Sequence, residues 1–289
     1  MRLLDKQRPL PLEMSMEIEA LSLGQFSFVE NAYSFGFAVM AAATLFFWLM
    51  RSEIAPAYRL AVTITGLVTA VAAYHYFQIM ASWGAAADLT TGEVLATGKP
   101  FNQAYRYVDW LLTVPLLLIE LILVMRLSRQ ETIKKSTILG GAAALMIILG
   151  YPGEVSDTGG LRFVFWVLSM IPFVFIVYQL VVGLKESIAS QPESVKQLVS
   201  VSIYLVIGSW LFYPIVYLFP LVGLTGGAAI TAVEVGYTIA DIVAKAVFGV
   251  YIFVIAMRKS KIELEEHDTA AAPAVDESAQ ASAQDSEHA

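Results

Sequence analysis

The segment RYVDWLLTVPLLLIE, residues 106–120, places Arg106, Asp109 and Glu120 inside one long apolar run. A membrane-spanning helix needs roughly 20 mostly apolar residues, and ionised side chains are rare within it because hydrocarbon solvates them poorly. Steps of three and four residues join Arg106, Asp109, Thr113, Leu117 and Glu120, so these side chains share one helix face. At about 1.5 Å per residue, Asp109 and Glu120 lie roughly 16 Å apart along the axis. One face therefore carries two carboxyl groups at different membrane depths.

The composition of the chain predicts a polytopic membrane protein. Of its 289 residues, 57% are hydrophobic and 15% are charged, and the mean hydropathy is +0.67, which is too apolar for an ordinary soluble domain. The net charge of -7 includes several acids of a polar C-terminal segment, so no nucleic-acid partner is predicted. The absence of cysteine excludes disulfides and thiolate metal ligands, and no metal site is predicted.

Seven segments are long and apolar enough to cross a bilayer. They span approximately 27–50, 57–82, 103–126, 133–153, 161–184, 197–222 and 229–257. The predicted fold is thus an all-α membrane protein, a seven-helix bundle at 26–258, with a short β-hairpin in the loop ADLTTGEVLATGKP between the second and third helices. Residues 1–25 lack the apolar core of a signal peptide, so we expect the first helix to be its own insertion signal. Residues 259–289 are predicted to form a disordered tail.

The basic residues of the loops predict the orientation of the bundle. The poorer side carries only Arg2, Lys6, Arg8, Lys99 and Arg162. The richer side, predicted to be cytoplasmic, carries Arg51, Arg59, Arg126, Arg129, Lys134, Lys135, Lys185, Lys196, Arg258, Lys259 and Lys261. The N-terminus is then outside and the C-terminus inside, so the third and seventh helices run inward. Asp109 falls in the outer half of the membrane, and Glu120 lies toward the cytoplasm.

A lysine within the seventh segment is the second unusual feature. In YTIADIVAKAVFG, Asp241 precedes Lys245 by one helical turn on the same face, so a buried ammonium would have a counterion beside it. His75 lies in the outer half of the second helix, at the depth of Asp109, and a histidine there can keep that acid ionised. Each charged residue taken alone could instead form a structural ion pair, and His75 alone could be a satisfied core histidine.

A lysine amine in a dry, aromatic-lined cavity suits a covalent link to an aldehyde. Here the chain resembles the microbial rhodopsins, and among them the proteorhodopsin-like and xanthorhodopsin-like proton pumps, over residues 25–258. Three motifs carry most of the resemblance: RYVDWLLTVP at 106–115, WLFYP at 210–214 and DIVAK at 241–245. AYHYF at 73–77 and GYPGEVSD at 150–157 add to it.

The resemblance implies a role for each matching position. Lys245 would bind all-trans retinal as a protonated Schiff base, with Asp109 as primary counterion and proton acceptor and Asp241 as second counterion. Glu120 would be the cytoplasmic proton donor, waiting protonated among leucines. Thr113 would hydrogen-bond Asp109, His75 would pair with Asp109, Arg106 would lie on the outer side, and Tyr76 and Tyr213 would hydrogen-bond Asp241. The polyene would be lined by Trp110, Met146, Gly150, Trp166, Ser169, Trp210 and Pro214, with Leu117 favouring green absorption.

The resemblance also implies a light-driven outward proton pump in a bacterial-type plasma (inner) membrane, surrounded by lipid. A homopentamer is favoured over a trimer because His75 would lie near a subunit contact. Trp166 stands where carotenoid-binding relatives have glycine, so no carotenoid antenna is expected. Val233 replaces the outer proton-release carboxylate of the archaeal pumps, and the role of the neighbouring Glu234 is left open.

Rival functions differ from the pump at identifiable residues. Asp109, Thr113 and Glu120 argue against the sodium and chloride pumps of the family. A photosensor that signals through a partner protein is the main alternative, and it would usually lack a carboxylate at Glu120. A transporter or receptor without retinal, using Lys245 in an ion pair, is a further alternative. The carboxylate of Glu120, the predicted proton donor, therefore favours the pump over the photosensor.

Overall fold

A computed structural model describes residues 18–156 and 158–271. In these residues it contains seven helices that are long and apolar enough to cross a membrane, which confirms the predicted fold class. Numbered in chain order, they are α1 (Leu23–Met50), α2 (Arg59–Ala86), α3 (Ala104–Met125), α4 (Arg129–Glu154), α5 (Gly159–Tyr178), α6 (Glu193–Trp210) and α7 (Gly227–Asp241, resumed at Phe248–Ala271). Consecutive helices α1 to α5 pack side by side, and α7 closes the ring by packing on both α6 and α1.

The last three helices are not regular along their whole length. A π-helical turn, Gln179–Gly183, and a short helix, Lys185–Ala189, extend α5, and a second short helix, Phe212–Tyr217, extends α6. In α7 the π-helical turn Ile242–Val247 separates the two α-helical parts. Such turns insert a residue into the helix and are frequent at functional sites.

Large apolar side chains cover the outer faces of the bundle. Phe35, Leu49 and Ile171 are 62%, 73% and 64% exposed. An exposed apolar surface of this extent would aggregate in water, and it is the surface that lipid chains cover. The outward faces therefore agree with the membrane location predicted from the hydropathy.

The predicted hairpin between the second and third helices is confirmed. Strand β1 (Ala87–Asp88) pairs antiparallel with β2 (Leu95–Ala96), and Ala87 lies opposite Ala96. The turn is held by a hydrogen bond from the Thr90 amide to the Asp88 carboxylate (2.9 Å), an interaction that lowers the pKa of Asp88 below its usual value. The first Thr-Gly pair of the loop places Gly92 in the turn, where the backbone φ is positive (83°) and glycine is favoured.

The predicted start of a disordered tail at residue 259 is wrong, because α7 continues as a helix to Ala271. The first polar residues after 258 are buried rather than solvated: Lys259 and Ser260 are 7% and 5% exposed. The Ser260 hydroxyl accepts a hydrogen bond from the Ala55 amide in the α1–α2 connection (2.9 Å). Residues 272–289 of the predicted tail and residues 1–17 of the predicted N-terminal segment lie outside the described residues.

A close approach of three helices occurs at Gly36, in the half of the bundle that contains Tyr76 and Thr238. A Cβ atom added to Gly36 in α1 would lie 2.7 Å from the Tyr76 ring of α2 and 3.0 Å from the Thr238 methyl group of α7. The Tyr76 ring cannot move freely because its hydroxyl donates to Asp241 (3.0 Å). A side chain larger than hydrogen at residue 36 must therefore displace either the ring or the helix.

We predict that Gly36→Ala destabilises the fold by about 1–3 kcal/mol, as expected for overpacking. The thermal unfolding midpoint of the purified protein, followed by circular dichroism, should fall. Gly141→Ala is the matched control, because a Cβ atom there in the middle of α4 meets nothing within 4 Å. A midpoint for Gly36→Ala equal to that of the control would contradict the close approach.

Candidate functional site

The centre of the bundle holds one ammonium group between two carboxylates. Lys245, in the π-helical turn of α7, is 1% exposed. Its Nζ atom lies 2.5 Å from Asp109 Oδ2 on α3 and 2.9 Å from Asp241 Oδ1, four residues earlier on α7. A buried charge is tolerated only when it is paired. The sequence prediction that Asp109 and Asp241 would both accompany Lys245 agrees with this geometry.

Three donors from three other helices fix the Asp241 carboxylate. Tyr213 donates to Oδ1 (2.6 Å) and Tyr76 to Oδ2 (3.0 Å), as predicted, and Trp110 Nε1 also donates to Oδ1 (3.2 Å). With Lys245, both oxygens of Asp241 are therefore bound. Hydrogen bonds from charged and neutral donors thus hold the Asp241 carboxylate in place on both of its oxygens.

The Asp109 carboxylate has fewer donors than Asp241. Its Oδ2 contacts Lys245, while its Oδ1 has no hydrogen-bond partner among residues 18–156 and 158–271. The predicted hydrogen bond from Thr113 goes to the backbone carbonyl of Asp109 (2.8 Å) and not to its carboxylate, because a threonine hydroxyl within a helix readily reaches the carbonyl one turn earlier. Asp109 thus has a free oxygen in a closed site.

His75 lies beside the free oxygen of Asp109. Its Nδ1 atom is 3.8 Å from Asp109 Oδ1, beyond hydrogen-bond length but close enough for a charge interaction. The same nitrogen lies 2.9 Å from the Val71 carbonyl, which only accepts, so Nδ1 carries the hydrogen. His75 and Asp109 are therefore neighbours, as the predicted pairing requires, but no hydrogen bond joins them. The ring is 5% exposed, so His75 is enclosed within the single chain.

Glu120 lies on the same face of α3, far from the ion cluster. It is fully buried, and neither of its carboxyl oxygens has a hydrogen-bond partner in the described part of the chain. Thr65 is its polar neighbour, but the Thr65 hydroxyl donates to the Ala61 carbonyl (3.1 Å). An isolated carboxylate in such a place is very unfavourable, so the carboxyl group holds its proton.

The Arg106 end of the shared α3 face carries an ion pair that the sequence analysis did not predict. Arg106 Nη2 lies 2.5 Å from Glu234 Oε2, and both residues are buried. Tyr33 donates to the same Glu234 oxygen (2.7 Å), and Gln103 donates to Oε1 (3.1 Å). The spacing of Glu234, seven residues before Asp241 and therefore on the same face of α7, was a signal for its inward position. Nothing in the sequence pointed to Tyr33.

An apolar cavity extends from Lys245 between α3, α4, α5 and α6. It is lined by the predicted residues Trp110, Leu117, Met146, Gly150, Trp166, Ser169, Trp210, Tyr213 and Pro214. Further lining residues, not singled out from the sequence, are Tyr107, Val114, Ile147, Met170, Phe173, Tyr217, Tyr237 and Ala244. Trp166 lies on the cavity wall, where its indole N–H donates to the Pro214 carbonyl (2.9 Å). An apolar, aromatic slot with one amine at its end fits a long polyene aldehyde such as retinal.

Comparisons with solved structures agree with this architecture. The crystal structure of xanthorhodopsin, described as a light-driven ion pump with dual chromophore, is 48% identical and superimposes with a TM-score of 0.81, covering 84% of this chain and 97% of that one. The crystal structure of a thermophilic rhodopsin is 43% identical, with a TM-score of 0.80 and coverage of 84% and 98%.

Sequence comparisons find related rhodopsins. The green-light absorbing proteorhodopsin of the Gamma-proteobacterium EBAC31A08 is 27% identical over 226 residues, which cover 77% of this chain and 84% of that protein. Archaerhodopsin-2 of Halobacterium sp. (strain aus-2) is 33% identical over 190 residues, covering 64% and 68%. The family model described as bacteriorhodopsin-like protein matches residues 28–259. The chain belongs to this bacteriorhodopsin-like family and is a microbial rhodopsin.

Proposed function

We propose that this microbial rhodopsin is a light-driven pump that moves protons outward across the plasma (inner) membrane of a bacterial-type cell. One observation carries the proposal: Lys245 Nζ lies 2.5 Å from Asp109 Oδ2, a carboxylate with a free second oxygen. The likeness to proteorhodopsin and xanthorhodopsin supports it.

All-trans retinal, bound through Lys245, would supply light absorption and a change of shape on isomerisation. Trp110, Trp166 and Trp210 on the cavity wall would help to hold it. The apolar lining excludes water from the polyene. Among the described lining residues, the charged ones are Asp241 and Lys245, so they orient the reactive end.

Asp109 and Asp241 differ in their ability to accept the proton of Lys245 Nζ. Asp241 has donors on both oxygens, so protonation would break good hydrogen bonds. Asp109 loses only its contact with Lys245. Transfer of the proton from Nζ to Asp109 neutralises an ion pair in a site of low dielectric constant, which reduces the cost of burial. Asp109 is therefore the acceptor.

Glu120 supplies the replacement proton from the other side. Its carboxyl group is buried without a hydrogen-bond partner among the described residues, so it is protonated before light is absorbed. The charge pattern of the loops puts Glu120 on the cytoplasmic side and Asp109 on the outer side. Release through Asp109 and reloading through Glu120 give net transport outward. A photosensor has no need of such a donor.

A homopentamer remains our proposal for the assembly, based on the resemblance. The argument from His75 does not extend to it, because the ring is enclosed within one chain. Lipid is expected to cover the exposed apolar faces of the bundle.

Light-induced acidification tests the proposal directly. Unbuffered cells that express the protein with all-trans retinal should acidify the medium on illumination, and a protonophore should abolish the signal. Asp109→Asn should alter the colour and reduce acidification to background, because the acceptor is lost. Asp88→Asn, an exposed aspartate of the hairpin, is the matched control and should pump normally. Alkalinisation that a protonophore increases would contradict an outward proton pump.

We predict that Glu120→Gln slows reprotonation of the Lys245 nitrogen by on the order of a hundredfold, the contribution of a placed general acid. Flash photolysis of the purified, retinal-loaded protein measures this as delayed recovery of visible absorbance. Glu186→Gln removes an exposed carboxylate at the same end of the bundle and should leave the recovery unchanged. Unchanged recovery in Glu120→Gln would remove Glu120 from the donor role.

We also predict that the native chain uses no carotenoid antenna, because the bulky Trp166 indole, fixed to the Pro214 carbonyl, stands where the resemblance implies glycine in carotenoid-binding relatives. An action spectrum of pumping after addition of a hydroxylated carotenoid should show no carotenoid bands. Trp166→Gly should open the site and allow such bands, whereas Trp166→Phe should keep it closed. Carotenoid bands in the native protein would refute the prediction.

A further inference from the structure

A second buried lysine binds the cytoplasmic end of α3. Lys259, in the part of α7 beyond the predicted bundle, is 7% exposed. Its ammonium group donates to the carbonyls of Val124 (3.2 Å) and Met125 (3.0 Å) and to Gln191 Oε1 (2.8 Å). The last carbonyls of a helix have no partner within it and carry the negative end of its dipole. Lys259 therefore caps α3 from another helix.

Gln191 brings the α5–α6 connection into the same cluster. It is buried, and its amide donates to the carbonyls of Met125 (3.1 Å) and Ser187 (3.0 Å) while its oxygen accepts from Lys259. The helix α3 ends here because Arg126 adopts the left-handed conformation, with φ 54°. Three segments that are distant in sequence are thus joined at one point.

A second layer covers this point from outside. The Tyr58 hydroxyl donates to Glu263 Oε1 (2.5 Å), and Arg126 lies 3.6 Å from the same carboxylate. Both Lys259 Nζ and the Arg126 guanidinium face the Tyr58 ring, at 5.4 and 5.5 Å from its centroid. The cluster therefore also includes the α1–α2 connection, so it spans the cytoplasmic end of the bundle.

This cluster lies between Glu120 and the cytoplasm. Glu120 precedes Met125 by five residues, about 7.5 Å along α3. Val124, on the face of Glu120 and one turn further on, is 0% exposed. Water that reaches Glu120 along this face must first displace the contacts of Lys259.

The contacts of Lys259 are favourable, but the net free energy that they contribute is small. All three acceptors are neutral oxygens, and Glu263, the carboxylate of the second layer, is bound to Tyr58 and Arg126 rather than directly to this ammonium. A buried cation without a directly bound anion bears a desolvation cost that neutral acceptors offset only in part. Lys259 is therefore held less firmly than Lys245, which contacts two carboxylates.

We propose that Lys259 is the latch of a seal that closes Glu120 off from the cytoplasm and opens when Glu120 must be reloaded. Lys259 is a positioning residue in this role, since it touches neither the chromophore site nor Glu120. The proposal rests on the proposed function, because only a pump that takes up protons at this end requires a route that is shut at rest and open once per cycle.

Thiol labelling tests the seal in the dark. The chain contains no cysteine, so Val124→Cys introduces a single reporter behind the latch. In the full-length, retinal-loaded protein in lipid nanodiscs, a charged, water-soluble maleimide should label this thiol slowly. Adding Lys259→Met should speed labelling by about tenfold or more, since hydrogen bonds to a charged group are lost. Lys261→Met, an exposed lysine two residues further on, is the control and should not change the rate.

A second variant tests the same cluster in case Lys259→Met does not fold. Gln191→Leu keeps Lys259 but removes its side-chain acceptor and the second donor to the Met125 carbonyl, and it should also speed labelling. Equal labelling rates in Lys259→Met, Gln191→Leu and Lys261→Met would overturn the proposal. If Lys259→Met yields no coloured protein, the comparison of Gln191→Leu with Lys261→Met decides.

The link to reloading needs a variant in which the donor is absent. In Glu120→Gln, the proton must come from water through the seal, so adding Lys259→Met should speed recovery of visible absorbance by about tenfold and should make it respond to azide, a small proton carrier. An unchanged recovery would refute the role in reloading. Failure of the pump itself would appear differently, as absence of light-induced acidification by the native chain with the labelling difference intact.

Discussion

The burial of the Lys245 ammonium in a membrane bundle is the constraint on which the other features of the site depend. A charge in this environment is stable only with anions and further donors around it, and removal of one partner of such a buried pair costs about 3–5 kcal/mol. Asp109 comes from α3, Tyr76 from α2 and Tyr213 from the extension of α6. Four helices therefore meet around Lys245 and its neighbour Asp241, both of which α7 provides. The contacts that stabilise the charges at Lys245 therefore also hold these helices together.

The two carboxylates beside Lys245 are chemically alike but differ in their surroundings. Partner hydrogen bonds from tyrosine and tryptophan satisfy Asp241, whereas one oxygen of Asp109 is unpartnered among the described residues. In a medium of low dielectric constant, an unpaired polar group is costly. In the proposed pump, the same cluster thus provides a fixed anion, Asp241, and a proton acceptor, Asp109. The division of roles follows from the number of donors and needs no difference in residue type.

The residues at the centre of the molecule could be predicted from the periodicity of the sequence. The contacts at its two ends could not, because they join residues that are distant in sequence. Seven apolar segments, the face shared by Asp109 and Glu120, and the one-turn spacing of Asp241 and Lys245 are all local patterns. The Glu234 partner Tyr33 is 201 residues away, a separation at which no local pattern operates. Lys259 looked solvated because it begins a polar stretch, and only the carbonyls at the end of α3 explain its burial. A polar residue at a segment end can be judged only when its neighbours in space are known.

The two ends of the α3 stripe are closed by different kinds of interaction. At the Arg106 end, Arg106 and Glu234 form a pair of opposite charges with further donors on the carboxylate. At the other end, the Lys259 ammonium donates to neutral oxygens. Neutral acceptors offset the desolvation cost of a buried cation less completely than a directly paired anion does. The closure at Lys259 is therefore the easier one to open. In the proposed pump, the replacement proton enters at this end, which is the end that the order of acceptor and donor assigns to proton uptake.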